Sequence, residues 1–260
     1  MQPEIDILGL PLKTFGLMLA LGFLASGAVV SRHLKEIGKP HDWAYEMIFA
    51  ALVGGLVGAK VYWAIDNTGN GESLFSNLFS GTGLTWYGGA LGGAAAVLGW
   101  AYWRGTFNRT VLDLASVPLA IGYAVGRIGC QLSGDGDYGK AWDGPWAMAY
   151  PEGTVPTDTP VHPTPIYETL AMGLAAWLIW RMRHVVRPGV MFGSYLVLAG
   201  LERFLVEFLR RNDEVLAGLT MAQLWSLAMM AGGAGFLWVI ARRGGLRVAG
   251  AAGRSVPVTA

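Results

Sequence analysis

Apolar residues along this chain gather into about seven long runs separated by short polar breaks. The runs cover Thr14–Ser31, Trp43–Ile65, Leu84–Trp103, Val111–Leu132, Thr164–Met182, Val190–Leu209 and Leu219–Ala241. A helix needs roughly 17–25 apolar residues to cross a bilayer, and each run has that length. Seven such runs argue against a soluble all-helical core. The pattern predicts an all-α polytopic membrane protein of about seven transmembrane helices. It predicts one integral membrane domain over residues 1–260, because nothing marks a second. No basic region precedes the first run and no small-residue cleavage site clearly follows it, so it reads as a retained helix rather than a signal peptide.

Charge in the connections sets the orientation. Arg32, Lys35 and Lys39 follow the first run, and Arg104 and Arg109 the third. Arg181, Arg183 and Arg187 follow the fifth, and Arg242, Arg243, Arg247 and Arg254 the seventh. Between the second and third runs, Asp66–Thr82 has no Lys or Arg, and the connection after Arg127 has only Lys140. Arg210-Arg211 is the exception. The positive-inside rule then puts the N-terminus outside and the C-terminus in the cytoplasm. The longest connection, about residues 133–163, lies outside and is rich in Gly, Pro, Asp and Thr. Its length suits a functional cap better than a plain turn. Small residues four apart, at Gly54/Gly58, Gly88/Gly92, Gly89/Gly93 and Gly122/Gly126, predict close helix packing.

Composition agrees. With 53% hydrophobic and 14% charged residues, the chain is too apolar for an ordinary soluble domain. A net charge of +1 gives no basis for a nucleic-acid partner. A single cysteine, Cys130, excludes an internal disulfide and a multi-cysteine metal site. Neither a metal nor a cofactor is called for.

Arg127 stands inside an apolar run, Gly122-Tyr-Ala-Val-Gly126-Arg127-Ile128-Gly129. A charge there is expensive and marks a functional site. The predicted topology gives other polar residues the same depth. Lys60, Arg127, Arg203, Glu207 and Arg210 lie near the outer ends of outward-running helices. Tyr87, His162, Tyr167 and Glu168 lie near the outer starts of inward-running ones. They predict one site in the outer half of the membrane. Arg203, Glu207 and Arg210, spaced by four and three, share one helix face. That face is either a self-satisfied ion-paired interior or a guanidinium held by Glu207 and aimed at a phosphate. With Arg127 and Lys60 added, cations outnumber what Glu207 neutralises, and a phospholipid headgroup is the obvious anion.

Other residues allow two readings. Asp135 and Asp137 resemble the start of a calcium loop, but no downstream glutamate completes it; a glycine-rich mobile loop over the site is the better reading. His162 is either a catalytic group or part of a helix start. Cys130 is either a nucleophile or a small packing residue. Asp113 and Glu46 read as anions at the starts of their own helices.

Several segments together resemble the prolipoprotein diacylglyceryl transferase family of bacterial inner-membrane enzymes. They are Phe15-Gly-Leu-Met, Gly54-Gly-Leu-Val-Gly-Ala-Lys60-Val-Tyr62, Tyr87-Gly-Gly89, Gly126-Arg-Ile-Gly129 with the following Ser133-Gly-Asp135, His162-Pro-Thr-Pro-Ile-Tyr-Glu168 and Arg203-Phe-Leu-Val-Glu-Phe-Leu-Arg210. The resemblance spans nearly the whole chain. It implies a multi-pass protein of the bacterial inner membrane with an active site facing the periplasm. It implies transfer of the diacylglyceryl group of phosphatidylglycerol to the lipobox cysteine of a secreted lipoprotein precursor, with release of glycerol phosphate. Arg127, Arg203, Tyr87 and His162 would be catalytic. Lys60, Ser133, Asp135, Tyr167, Glu168, Glu207 and Arg210 would bind substrate.

The chain departs from the family at four places. Tyr87 replaces a histidine, Cys130 an asparagine, and Phe15 and Ala199 tyrosines. Tyrosine is a poor base near neutral pH. Either Tyr87, His162 or an acid such as Asp135 takes the acceptor's proton, or the cations alone lower the thiol pKa, or the chemistry differs. A related lipid-group transfer to another acceptor, or a lipid or anion carrier, are the alternative functions.

Overall fold

A computed structural model of the chain describes residues 2–7, 9–68, 73–80, 83 and 85–248. In chain order the elements are β1 (Glu4–Ile7), β2 (Leu10–Lys13), α1 (Thr14–Glu36), α2 (Trp43–Asp66), α3 (Leu74–Phe79), α4 (Trp86–Trp103) and α5 (Arg109–Ser133). Then follow β3 (Met148–Tyr150), β4 (Thr157–Val161), α6 (Thr164–Met182), α7 (Val190–Glu207), β5 (Glu214–Leu216), β6 (Leu219–Thr220) and α8 (Met221–Arg242). Each predicted apolar run is a helix, and Thr164–Met182 matches at both ends. The first helix continues past Ser31 to Glu36, so Arg32 and Lys35 ride on its last turns rather than following it. Leu84, Thr82 and Arg254, which figured in the sequence reading, lie outside the described residues.

The protein is a polytopic membrane protein. By length and composition, α1, α2, α5 and α8 are apolar enough to cross a bilayer. The remaining long helices are shorter, at 18 or 19 residues. In α4, glycine and terminal Trp and Tyr dilute the apolarity. In α6 and α7, Glu168, Arg181, Glu202, Arg203 and Glu207 lower it.

The all-α expectation is corrected to a mostly helical fold with, among the described residues, three antiparallel hairpins, β1–β2, β3–β4 and β5–β6. Backbone outside the helices must still pair its N–H and C=O groups. Strands of two to five residues are too short to leave an alternating pattern in the sequence. The β5–β6 turn places Ala217 at φ 52° and Gly218 at φ 76°. Two positive φ values suit a tight hairpin turn, and glycine adopts one freely.

The chain divides into two compact units, Met1–Val29 with Leu112–Ala260, and Val30–Val111. In the first, Val117, Ala120 and Ala124 of α5 pack with Met172, Ala175, Ala176 and Ile179 of α6 and Met191 of α7. The alanines let the backbones approach. Gly200 of α7 does the same against α8, since a Cβ there would stand 2.8 Å from the Ser226 carbonyl. Asp113 does not serve its own helix as expected. Its carboxylate accepts from the N–H groups of Gly189 and Phe192, at 2.7 and 2.9 Å, and so satisfies the start of α7.

In the second unit, Gly54 and Gly58 of α2 face Gly92 and Gly88 of α4, and a Cβ at any of them would strike the opposing chain. These predicted pairs are used for close approach. The Gly122/Gly126 pair is used by half: a Cβ on Gly122 meets Ser26 Oγ at 3.4 Å, and one on Gly126 meets nothing within 4 Å. Glu46 is likewise not a bare helix-start anion. It accepts from Trp100 Nε1 at 2.7 Å and pairs with Arg104.

Candidate active site

Three helices and the segment after α5 bring a charged cluster together in the first unit. Arg127 comes from the last third of α5, Glu168 from the second turn of α6, and Arg203 and Glu207 from α7. Arg210 follows one turn later. Glu168 is fully buried and sits at the centre. Its Oε2 lies 2.8 Å from Arg127 Nε, and its Oε1 lies 3.1 Å from Arg203 Nη1 and 3.7 Å from Arg210 Nη1. Tyr123 Oη donates to Glu168 at 3.2 Å, and its ring lies under the Arg127 guanidinium. Glu207 Oε2 lies 2.7 Å from Arg203 Nη2. Its Oε1 accepts from Thr220 Oγ1 at 2.8 Å and Asn212 Nδ2 at 2.6 Å. The helical spacing of Arg203 and Glu207 therefore yields a pair on one face, as predicted.

Asp137, which the sequence reading treated only as a possible calcium ligand, completes the cluster. Its carboxylate pairs with both Arg127 and Arg210. Arg210 Nη1 also donates to the Asp137 carbonyl, at 3.0 Å. Burial pushes the Asp137 carboxyl up, but the Arg127 and Arg210 guanidiniums overcome this and hold its pKa at about 2. Cys130, Asp135 and Asp137 bring possible ligand atoms within 4.8 Å of one another. Two guanidiniums already occupy Asp137, which disfavours a cation there.

Asp137 changes the electrostatic picture. Arg127, Arg203 and Arg210 face Asp137, Glu168 and Glu207, so within this unit the cluster lacks the surplus of cations expected from sequence. The guanidiniums are instead fixed in place by buried carboxylates.

The segment after α5 is tied to its surroundings by hydrogen bonds and stacked rings. The Ser133 carbonyl accepts from Thr154 N at 2.8 Å, and Gly139 N and Lys140 N donate to the His162 and Leu209 carbonyls. Tyr138 stacks on buried Tyr150, and Arg211 lies over Tyr138. Thr164 Oγ1 donates to the Asp137 carbonyl at 2.7 Å, tying the cap to the start of α6.

The other predicted residues fall in different places. Ser133 is buried, and its Oγ bonds back to the Cys130 carbonyl at 3.3 Å. Asp135 accepts from Asp137 N at 3.3 Å. Cys130 lies 3.9 Å from Arg127 Nη1. His162 stacks on Trp142, with ring centroids 4.3 Å apart, and its Nδ1 is 3.4 Å from Tyr167 Oη. Tyr167 also accepts from Trp146 Nε1 at 2.7 Å. Partial burial pushes the His162 imidazole pKa down. Lys60 and Tyr87 belong to the second unit. Lys60 Nζ donates to Ser80 O and Ser80 Oγ, each at 2.8 Å. Tyr87 is half-exposed and packs edge-to-face against Trp86.

Sequence reasoning also missed Glu202. It precedes Arg203 in α7, and its Oε1 is buried with no hydrogen-bond partner among the described residues. The only signal was an acid inside an apolar run.

Comparison with known proteins identifies the family. A family model described as prolipoprotein diacylglyceryl transferase matches residues 4–239. A phosphatidylglycerol–prolipoprotein diacylglyceryl transferase of Pseudomonas fluorescens is 30% identical over 93% of this chain and 96% of its own. The protein of that name from Leptospira interrogans is 32% identical over 78% of this chain and 73% of its own. That from Clostridium tetani is 31% identical over 81% and 86%. A match over most of the length, with a buried arginine–carboxylate cluster drawn from the segments that carried the resemblance, leads to one conclusion: the chain belongs to the prolipoprotein diacylglyceryl transferase family.

Proposed function

We propose that this protein transfers the diacylglyceryl group of phosphatidylglycerol to the cysteine thiol of a prolipoprotein and releases glycerol phosphate. The observation that carries the reading is the set of three guanidiniums held by buried carboxylates, on the segments shared with the family. In the reaction the thiolate sulfur attacks the glyceryl carbon that bears the phosphate. An S–C bond forms, the C–O bond breaks, and its electron pair leaves on the phosphate oxygen. Charge growing on that oxygen needs cations already in position, and Arg127 and Arg203 supply them. Arginine suits the task because its planar fork binds phosphate oxygens in pairs and stays charged. Glu168 and Glu207 hold the like-charged forks in place against their mutual repulsion.

In this reading all seven long helices cross the inner membrane of a bacterium. The N-terminus lies outside, the C-terminus lies in the cytoplasm, and the cap and arginine cluster face the periplasm. The distribution of arginine among the connections supports that orientation.

The test is direct. Purified protein is incubated with phosphatidylglycerol vesicles and a lipobox peptide, and the peptide mass is measured. The diacylglyceryl increment is expected, together with its loss in Arg127→Ala. No increment from the wild-type protein overturns the reading. A second reading, the same donor with another acceptor, is favoured by Tyr87 standing where the family has histidine. Release of glycerol phosphate without peptide modification would point to it.

A further inference from the structure

The arginine cluster contains a fourth carboxylate that the mechanism above does not use. Asp137, Glu168 and Glu207 take up the guanidiniums of Arg127, Arg203 and Arg210. Glu202 is in none of these pairs, and its Oε1 is buried with no hydrogen-bond partner among the described residues. It nevertheless lies in the field of the cluster. It interacts electrostatically with Glu168 of α6, Arg127 of α5, and Arg203 and Arg210. It also interacts electrostatically with Tyr123 of α5 and Tyr195 of α7.

Buried polar atoms are almost always satisfied, and an exception in a native structure calls for a reason. Leaving a buried carboxylate oxygen without a donor is expensive unless one arrives during function. Glu202 arises from a helix position one residue from Arg203, so both side chains leave the same turn. The proposed reaction contains one step that needs an acceptor at such a place: the incoming S–H must give up its proton before sulfur can attack. The neighbouring carboxylates are held by guanidiniums. The neighbouring phenols are weak bases near neutral pH.

We infer that Glu202 is the catalytic base of this chain, taking the proton of the acceptor thiol as sulfur attacks the lipid. The inference rests on the transferase reading above. Glu202 Oε1 takes the thiol proton, and the sulfur lone pair forms the S–C bond. The C–O electrons depart with glycerol phosphate. The proton on Glu202 then passes to the phosphate dianion, or to water, and restores the carboxylate.

The experiment compares wild type, Glu202→Gln and Glu202→Asp with phosphatidylglycerol and two lipobox peptides. One peptide carries cysteine and the other selenocysteine, whose selenol is already ionised at neutral pH. With the cysteine peptide, Glu202→Gln is expected to lose about 100-fold or more in kcat, with KM for phosphatidylglycerol unchanged. Glu202→Asp keeps a carboxylate, so it is expected to retain part of the rate and the acid limb of the pH profile. With the selenocysteine peptide most of the Glu202→Gln defect should disappear, which a merely structural role would not produce. An equal loss with both peptides, or a fully active Glu202→Gln, overturns the inference alone. A wild-type protein that modifies neither peptide overturns the transferase reading and this inference with it.

Discussion

Arg127 Nε and Glu168 Oε2 lie 2.8 Å apart and join α5 to α6. Glu168 is fully buried and also faces Arg203 and Arg210, so one carboxylate serves three guanidiniums. Removing one partner of a buried ion pair leaves uncompensated charge and costs about 3–5 kcal/mol. Glu168→Gln is therefore expected to lower the thermal unfolding temperature in detergent markedly and to abolish transfer. Unchanged unfolding would mean that the guanidiniums find other partners.

Asp137 should behave as a permanently ionised tie between the cap and the two arginines. Its pKa in the folded protein is about 2, below its ordinary value of 3.8. A depressed carboxyl pKa contributes stability that is fully present above the unfolded value and lost as pH falls through the folded one. The difference in stability between wild type and Asp137→Asn should thus be constant from neutral pH down to about 5 and shrink between about 4 and 2. Unfolding curves of both proteins across that range, with limited proteolysis of the cap at neutral pH, check this. A difference that vanishes already at pH 6 would contradict it.

Asp113 links the fourth apolar run to the start of the sixth. Its carboxylate accepts from Gly189 N and Phe192 N, two donors that α7 cannot satisfy itself. Asp113→Ala removes both bonds and should destabilise by about 2 kcal/mol. Asp113→Asn, which keeps one acceptor oxygen, should lose less. Thermal unfolding of the two variants reads the order, and the reverse order would rule out the capping role.

Glycine spacing predicts packing only where a neighbour is present. A Cβ at Gly88 would meet the Gly58 backbone and the Tyr62 side chain. Gly88→Ala should destabilise by about 1–3 kcal/mol through overpacking. Gly126→Ala places its methyl in open space and should leave unfolding nearly unchanged or raise it slightly, since alanine favours the helix. Equal effects at the two positions would refute the contrast.

Much of the site was legible because its residues violate their surroundings. Arg127, Arg203 and Glu207 stood out as charges in apolar runs, where each is costly without a purpose. Asp137 did not stand out, because an aspartate among glycines in a polar connection is unremarkable. Its partnership with Arg127 and Arg210 exists only once the cap is folded. Glu202 was hidden differently: beside Arg203 it reads as one more charge on the same helix, and nothing in the spacing shows that its oxygen is empty. The three hairpins were missed because strands this short carry no pattern.

The long helices, the family and the helix face shared by Arg203 and Glu207 can be read along the chain. Those follow from local rules: the length of apolar runs, the 3.6-residue turn and the segments common to the family. Packing in three dimensions puts Glu168 between three arginines, lets Asp137 close the charge balance, brings Asp113 to cap a distant helix and leaves Glu202 over. Each of these joins residues 35 or more apart in some of its contacts, or depends on which side chains reach a donor first. Such pairings are set by how helices pack in three dimensions, where the cost of an unmatched buried charge selects among arrangements that the linear chain leaves equal.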